Sequence, residues 1–231
     1  MIKKLFSCFD DFINLVYPGV CAGCGNSLYR QERYICTSCL YNLPKTGFHK
    51  EEVNSVSMLF WGRSEITNAA AYCYFHKKGL LQNLIHQLKY KGYKELGFEL
   101  GFLYGLELVN SAYQAIDIIV PVPLHPLKIK KRGYNQSEWI AKGLSSAMSK
   151  PLNVSNLYRE GYTETQTRKG RYDRFLNVEK VFQVKKTSLF EKKHVLLVDD
   201  IVTTGSTLEA CANLLLGIDG VTVSLVTIGF A

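Results

Sequence analysis

No stretch of this 231-residue chain reaches the roughly 18 uninterrupted apolar residues that a membrane-spanning helix needs. No G-x-x-x-x-G-K-[ST] loop occurs, which removes the P-loop nucleotide-binding class and, with it, a Walker B reading of any acid-terminated strand. Internal repeats, low-complexity tracts and a single long basic tail are also missing. Acidic residues are the minority: 20 against 28 Lys and Arg, for a net charge of +8, which suits an anionic partner. The basic residues fall in small groups, Lys77-Lys78, Lys89 to Lys94, Lys128 to Arg132, Arg168 to Arg174 and Lys192-Lys193. They make either a solvated basic surface or a convergence on a phosphate-rich ligand, and the sequence leaves both open. A secretory signal is not expected either. Asp10 and Asp11 interrupt the apolar N-terminus and no small-residue cleavage site follows. Ile2, Leu5, Phe6, Phe9, Ile13 and Val16 fall at helical spacing instead, so a short amphipathic helix is expected there, on a cytoplasmic protein.

What remains is an ordinary globular composition, 47% hydrophobic and 21% charged, long enough for one large domain or one domain with a small appendage. Four of the seven cysteines form two pairs, Cys21-x-x-Cys24 and Cys36-x-x-Cys39. Each Cys-x-x-Cys turn can aim two thiolates at one metal, and two turns complete a tetrahedral structural zinc site with no position left for water. A disulfide framework is the rival, weakened by the odd cysteine total and the lack of a signal. Cys8, Cys73 and Cys211 lie in apolar surroundings and read as packing residues.

Beyond Pro44 the pattern changes. Ala69 to Phe75, Ile116 to Val122, Val178 to Val184, Val195 to Val198 and Val221 to Ile228 read as strands. Leu80 to Tyr90, Leu96 to Leu108, Asn135 to Met148 and Ser206 to Leu216 read as helices, with Asn135 and Glu138 at capping-box spacing. Strands alternating with helices, several apolar throughout, predict an α/β fold with a mostly parallel sheet covered by helices on both faces. The expected division is residues 1–60 for the N-terminal helix and cysteine module and 61–231 for the α/β domain.

The stretch VLLVDDIVTTGST, 195–207, carries the chemistry. A strand ending in Asp199-Asp200 delivers two carboxylates to the crevice at the sheet's C-terminal edge, where ligands of such sheets bind. Thr203, Thr204, Gly205, Ser206 and Thr207 then open a helix, where outward N–H groups, small hydroxyls and the helix dipole make a cradle for one phosphate. The acids suit the vicinal hydroxyls of a sugar, or a Mg²⁺ bound with the ligand. A strand ending in paired acids also occurs in response-regulator receivers, but at the start of their domain, and here only about thirty residues follow. An exposed acid pair before an ordinarily capped helix would account for the pattern with no ligand at all.

This stretch resembles the phosphoribosyl-diphosphate (PRPP) signature of type I phosphoribosyltransferases. VPVPLHPLKIKKRGYNQSEWIA, the pairs Thr163/Gln166 and Arg174/Asn177, LIHQLKYKG at 84–92 and the cysteine module are together similar to the ComF family of competence-associated proteins, over nearly the whole chain. Lys169 departs from the apolar residue usual after the Gln. The resemblance implies a type I phosphoribosyltransferase-like fold with an N-terminal zinc ribbon. In it Thr203 to Thr207 would hold the 5-phosphate, and Asp199 and Asp200 the ribose hydroxyls. Leu124, His125, Arg132, Asn135 and Gln136 would lie toward the diphosphate, although His125 reads equally as a plain loop residue. The segment from Arg159 to Asn177 would form a hood whose Arg159, Gln166 and Arg174 join the acids in catalysis, or else a solvated loop. The implied reaction displaces diphosphate from PRPP with Mg²⁺ present, passing phosphoribosyl to an unknown acceptor. The other reading is a non-catalytic module for imported single-stranded DNA or a competence helicase, in which Tyr90, Tyr93 and Tyr134 would stack on bases.

Overall fold

The computed structural model describes residues 19–160 and 181–231. The expected N-terminal helix, Cys8, Gln166, Arg174, and most of the hood lie outside these residues. A four-stranded parallel sheet carries the fold, in the order β1 (Ile66–Tyr74), β6 (Thr222–Phe230), β5 (His194–Val202), β2 (Ile118–Pro121). Val195, Leu196, Leu197 and Val198 are all fully buried. Consecutive strand residues point to opposite faces, so both faces of the sheet are covered.

The covering helices are α3 (Leu80–Tyr90), α4 (Lys94–Leu108), α6 (Gln136–Met148) and α7 (Ser206–Leu216), after two short ones, α1 (Thr37–Tyr41) and α2 (Ser55–Met58). The bounds of α3 and α7 coincide with those read from periodicity. Helix α6 packs on β2 and β5, while α7 packs on β5, β6 and the short strand β4 (Phe182–Val184). Helices α4 and α6 touch backbone to backbone. A Cβ on Gly101 would come within 2.1 Å of the Ile140 carbonyl oxygen, and one on Gly143 within 2.1 Å of that of Phe98. Only glycine permits this approach, and it seats the N-terminus of α6 against the sheet.

Several expectations are corrected. The strand read as Val195 to Val198 runs to Val202, so both acids lie within β5. Asn135 does cap α6, accepting from the Ser137 N–H, but Glu138 pairs with Lys142 at 2.7 Å. Among the described residues, the strand read from Val178 is β4 (Phe182–Val184), paired antiparallel with an unforeseen β3 (Leu157–Arg159). An unforeseen α5 (Pro126–Arg132) follows β2 and has no buried residue, hence no apolar periodicity to betray it.

Strand β2 is an edge. The Ile119 N–H donates to the Pro151 carbonyl and its own carbonyl accepts from Asn153, on the side away from β5. Pro121 and Pro123 share that outward register, where a missing N–H costs no ladder bond. Their presence closes the edge to further pairing.

Candidate functional site

The site begins where β2 stops. Pro121 stands opposite Val198, and the Val122 N–H still reaches the Val198 carbonyl at 2.9 Å, but among the described residues β5 continues to Val202 without a strand on that side. By the alternation of the ladder, the Asp200 N–H faces the gap. It is taken by Oδ1 of Asp199 at 2.8 Å, so a side chain replaces the missing strand's acceptor. The adjacency of the acids therefore has a structural reason besides any ligand.

Each acid has its own partner. The Ser137 hydroxyl, in the first turn of α6, donates to Asp199 Oδ1 at 2.7 Å. Lys89 Nζ, from the end of α3, lies 2.8 Å from Oδ2 of the buried Asp200. With the lysine on Asp200, Asp199 has no comparable cation among the described residues. Burial first, and repulsion from Asp200 second, push its carboxyl up to about 7, against the opposing Ser137 and Asp200 hydrogen bonds.

Both carboxylates open on a cavity of about 250 Å³, whose other walls include Lys89, Lys128, Arg132, Gln136 and Arg159, with Leu124 at its edge. A smaller hollow of about 50 Å³ runs over Thr203 to Leu208 and shares Asp199 and Thr207 with the first. The two form one polar site with cations on one wall and a hydroxyl-rich loop at the other end. In that loop Thr203, Thr204, Ser206 and Thr207 are exposed and Gly205 is buried. Gly205 caps α7 at φ +76°, and a Cβ there would lie 2.9 Å from the ring tip of Phe60. Gly205→Ala is expected to lower stability by about 1–3 kcal/mol, with part regained by Phe60→Leu. An unchanged melting midpoint would contradict this account of the loop.

The predicted residues separate into groups. Asp199, Asp200, Arg132, Asn135, Gln136, Leu124, Arg159 and Thr207 meet at the larger cavity. Asn135 is committed to structure: its amide donates to the Val122 carbonyl at 2.9 Å and its oxygen accepts from the Ser137 N–H. It ties the end of β2 to the start of α6. The Gln136 side chain accepts from Arg132. His125 lies outside the cavity lining and caps α5, its Nδ1 accepting from the Leu127 N–H at 3.1 Å. The Arg159 guanidinium stands 5.4 Å over the Phe182 ring, with its Nε buried and without a hydrogen-bond partner among the described residues.

Sequence reasoning missed Lys89 and Ser137 as site residues. A signal for Lys89 existed. Leu81 and Ile85 stand eight and four residues before it on the buried face of α3, so a lysine there interrupts an apolar row and needs a partner.

The four paired cysteines form a second centre, their sulfurs all within 4.8 Å of one another. Sulfurs bound to one tetrahedral zinc at the usual bond length sit about 3.8 Å apart, and Cys24 and Cys36 are 3.7 Å apart. Burial disfavours the Cys21 thiolate, but N–H groups of Cys36, Cys24 and Gly23 outweigh it and bring the thiol down to about 7. Such a donor set fits zinc. The knuckle rests on α3: Asn83 donates to the Gly23 carbonyl at 3.0 Å, and a Cβ on Gly23 would strike Leu80. Cys73 and Cys211 are fully buried, as packing residues should be.

Residues 105–229 match the phosphoribosyl transferase domain. The chain is 30% identical to the DNA utilization protein YhgH of Escherichia coli K12 over 203 residues, covering 86% of this chain and 84% of that one. The chain belongs to the ComF family. Competence protein F of Haemophilus influenzae is a second relative, 36% identical over 111 residues, 46% of this chain and 48% of its own. Among solved structures, a hypoxanthine phosphoribosyltransferase from Staphylococcus aureus superposes with a TM-score of 0.36 at 20% identity, covering 58% of this chain and 62% of that one. By its domain match this ComF-family chain has a phosphoribosyltransferase-type α/β fold, and no helix among its described residues is long and apolar enough to cross a membrane.

Proposed function

We propose that the site binds PRPP and passes its phosphoribosyl group to a nucleophile, releasing diphosphate. One observation carries this reading: two carboxylates and a hydroxyl-rich helix-entry loop share one polar site, with cations on the far wall. Asp199 and Asp200 accept hydrogen bonds from the ribose 2- and 3-hydroxyls. Thr203 to Thr207 hold the 5-phosphate through N–H groups and hydroxyls at the start of α7. Lys89, Lys128, Arg132 and Arg159 face the diphosphate, with Gln136 orienting Arg132. The bond from C1 to the diphosphate oxygen breaks and its electron pair leaves with diphosphate. The acceptor's lone pair forms the new bond at C1, and the acceptor's proton passes to solvent.

The donor set suits Mg²⁺, a hard cation that takes one or two carboxylates together with ligand phosphates. Asp199 and Asp200 would hold it, and its chemistry there is to neutralise charge on the departing diphosphate. The residues of the chain do the positioning. The acids fix the ribose, the loop fixes the far phosphate, and the basic wall stabilises charge as it develops.

Calorimetric titration with PRPP and Mg²⁺ tests the binding, and diphosphate release with panels of bases, amines and nucleic acids tests transfer. No heat from the wild type, or equal binding by Asp200→Asn, would sink the proposal. A second reading, a non-catalytic module for single-stranded DNA, draws support from the relatives' names and from Tyr90. That ring is 65% exposed with the Arg132 guanidinium 5.6 Å from its centre, a platform on which a base could stack. A steep fall of DNA affinity with salt is its expected mark. Weak binding that is flat with salt counts against it.

A further inference from the structure

The proposed phosphate loop has a flaw in its charge. Glu209 sits in the first turn of α7, the turn whose N–H groups would receive a phosphate. A carboxylate there repels the ligand that the helix end attracts. The structure holds this carboxylate in a two-pronged pair with Arg63: Nε reaches Oε1 at 3.1 Å, and Nη2 takes Oε2. The same guanidinium donates through Nη1 to the Thr204 carbonyl at 3.1 Å and the Leu59 carbonyl at 2.9 Å.

The bond to Thr204 sets the direction of the loop. In a trans peptide the C=O and N–H point oppositely. With the Thr204 carbonyl held toward Arg63, the Gly205 N–H of the same peptide is aimed away from it. Phe60, three residues earlier, packs under Gly205 and fixes the loop from below. Ser64 adds a bond from its hydroxyl to the Asn213 oxygen at 2.7 Å. One short segment before β1 thus holds both the loop and the helix that follows it.

We infer that Arg63 is a positioning residue for the phosphate end of the site: it neutralises Glu209 and orients the Thr204–Gly205 peptide, so that the loop accepts a phosphomonoester dianion. This rests on the reading of Thr203 to Thr207 as a phosphate socket, and it adds a residue that lies some 140 positions away in the chain.

The test compares three ligands by calorimetry: PRPP with Mg²⁺, ribose 5-phosphate, and inorganic diphosphate, which lacks the 5-phosphate. Arg63→Met is expected to weaken PRPP and ribose 5-phosphate by about 10- to 100-fold, while diphosphate affinity stays within about twofold. Adding Glu209→Gln to Arg63→Met removes the stranded carboxylate and should recover about tenfold. The melting midpoint of the double variant need not recover, which separates charge at the socket from packing. Equal loss for all three ligands, no loss, or no recovery on adding Glu209→Gln would overturn the inference. If the wild type binds neither PRPP nor ribose 5-phosphate, the PRPP reading itself falls, an outcome distinct from wild-type binding that Arg63→Met leaves intact.

Discussion

Asp199→Asn is expected to stabilise the ligand-free protein at pH 8 by roughly 5 °C in melting midpoint, and at the same time to remove the proposed PRPP binding. The two effects have one cause. Burial and Asp200 raise the Asp199 carboxyl to about 7, whereas in the unfolded chain it titrates near its ordinary value. Between those two pH values the folded state holds more protons than the unfolded one, so the stability contributed by this group falls as pH rises through the window. Above it, the folded protein carries the full cost of a poorly solvated carboxylate. Asparagine carries no such charge, yet its oxygen can still accept from Ser137 and the Asp200 N–H. The stabilisation should therefore be large at pH 8 and shrink toward zero near pH 4.

Ligand binding runs the other way. Ribose hydroxyls donate best to an ionised acid, so a proton on Asp199 would compete with the proposed ligand. Below about pH 7 the affinity is expected to drop by at most tenfold per pH unit. At pH 6.5, binding should release protons to the buffer. Calorimetry in buffers of different ionisation enthalpy reads that release directly. A pH-independent affinity, or an Asp199→Asn protein that melts at the wild-type temperature at pH 8, would show that the acid pair is not tuned in this way.

Removing zinc is expected to be the more damaging change. The purified protein should hold one zinc per chain by elemental analysis, and Cys36→Ser should lose it. Cysteine-bound structural zinc contributes on the order of 10 kcal/mol in small modules, more than the 20–42 region can replace by packing. The damage should extend into α3, because Gly23 and Asn83 join the knuckle to that helix and Leu80 lies directly beneath it. Hydrogen exchange after chelation should quicken over residues 20–42 and at the start of α3, while the β5 and β6 amides keep their protection. Uniform protection with and without chelator would argue that the cysteines are not a structural metal site.

Much of this architecture was legible from local pattern. Val195 to Val198 announces a strand buried on both faces, and Thr-Thr-Gly-Ser-Thr before an apolar periodic run announces a helix entry. What stayed hidden depends on distance or on absence. Ser137 and Lys89 reach the acids from 62 and 111 positions away, and no local pattern predicts such a meeting. The end of β5 is hidden because charge looks like a boundary, whereas Asp199, Ile201 and Val202 continue the ladder with β6 past the acids. Asn135 reads as a polar residue at a helix start, which it is, but its amide is consumed in tying that helix to β2. Three-residue β3 is too short for alternation to register.

The ladder bond between the Asp200 N–H and the Asp199 carboxylate gives the sheet an unusual property. An N–H within a sheet is ordinarily taken by a neighbouring strand's carbonyl, which has no charge to gain or lose. Here the closing group is titratable, and it is also the group the ligand would address. The backbone of β5 is thereby wired to the state of the acid: whatever protonates or draws on Asp199 would change the strength of the bond that its side chain accepts from the Asp200 N–H. If the proposed ligand binds there, the single amide of Asp200 would report its occupancy at the sheet's C-terminal end.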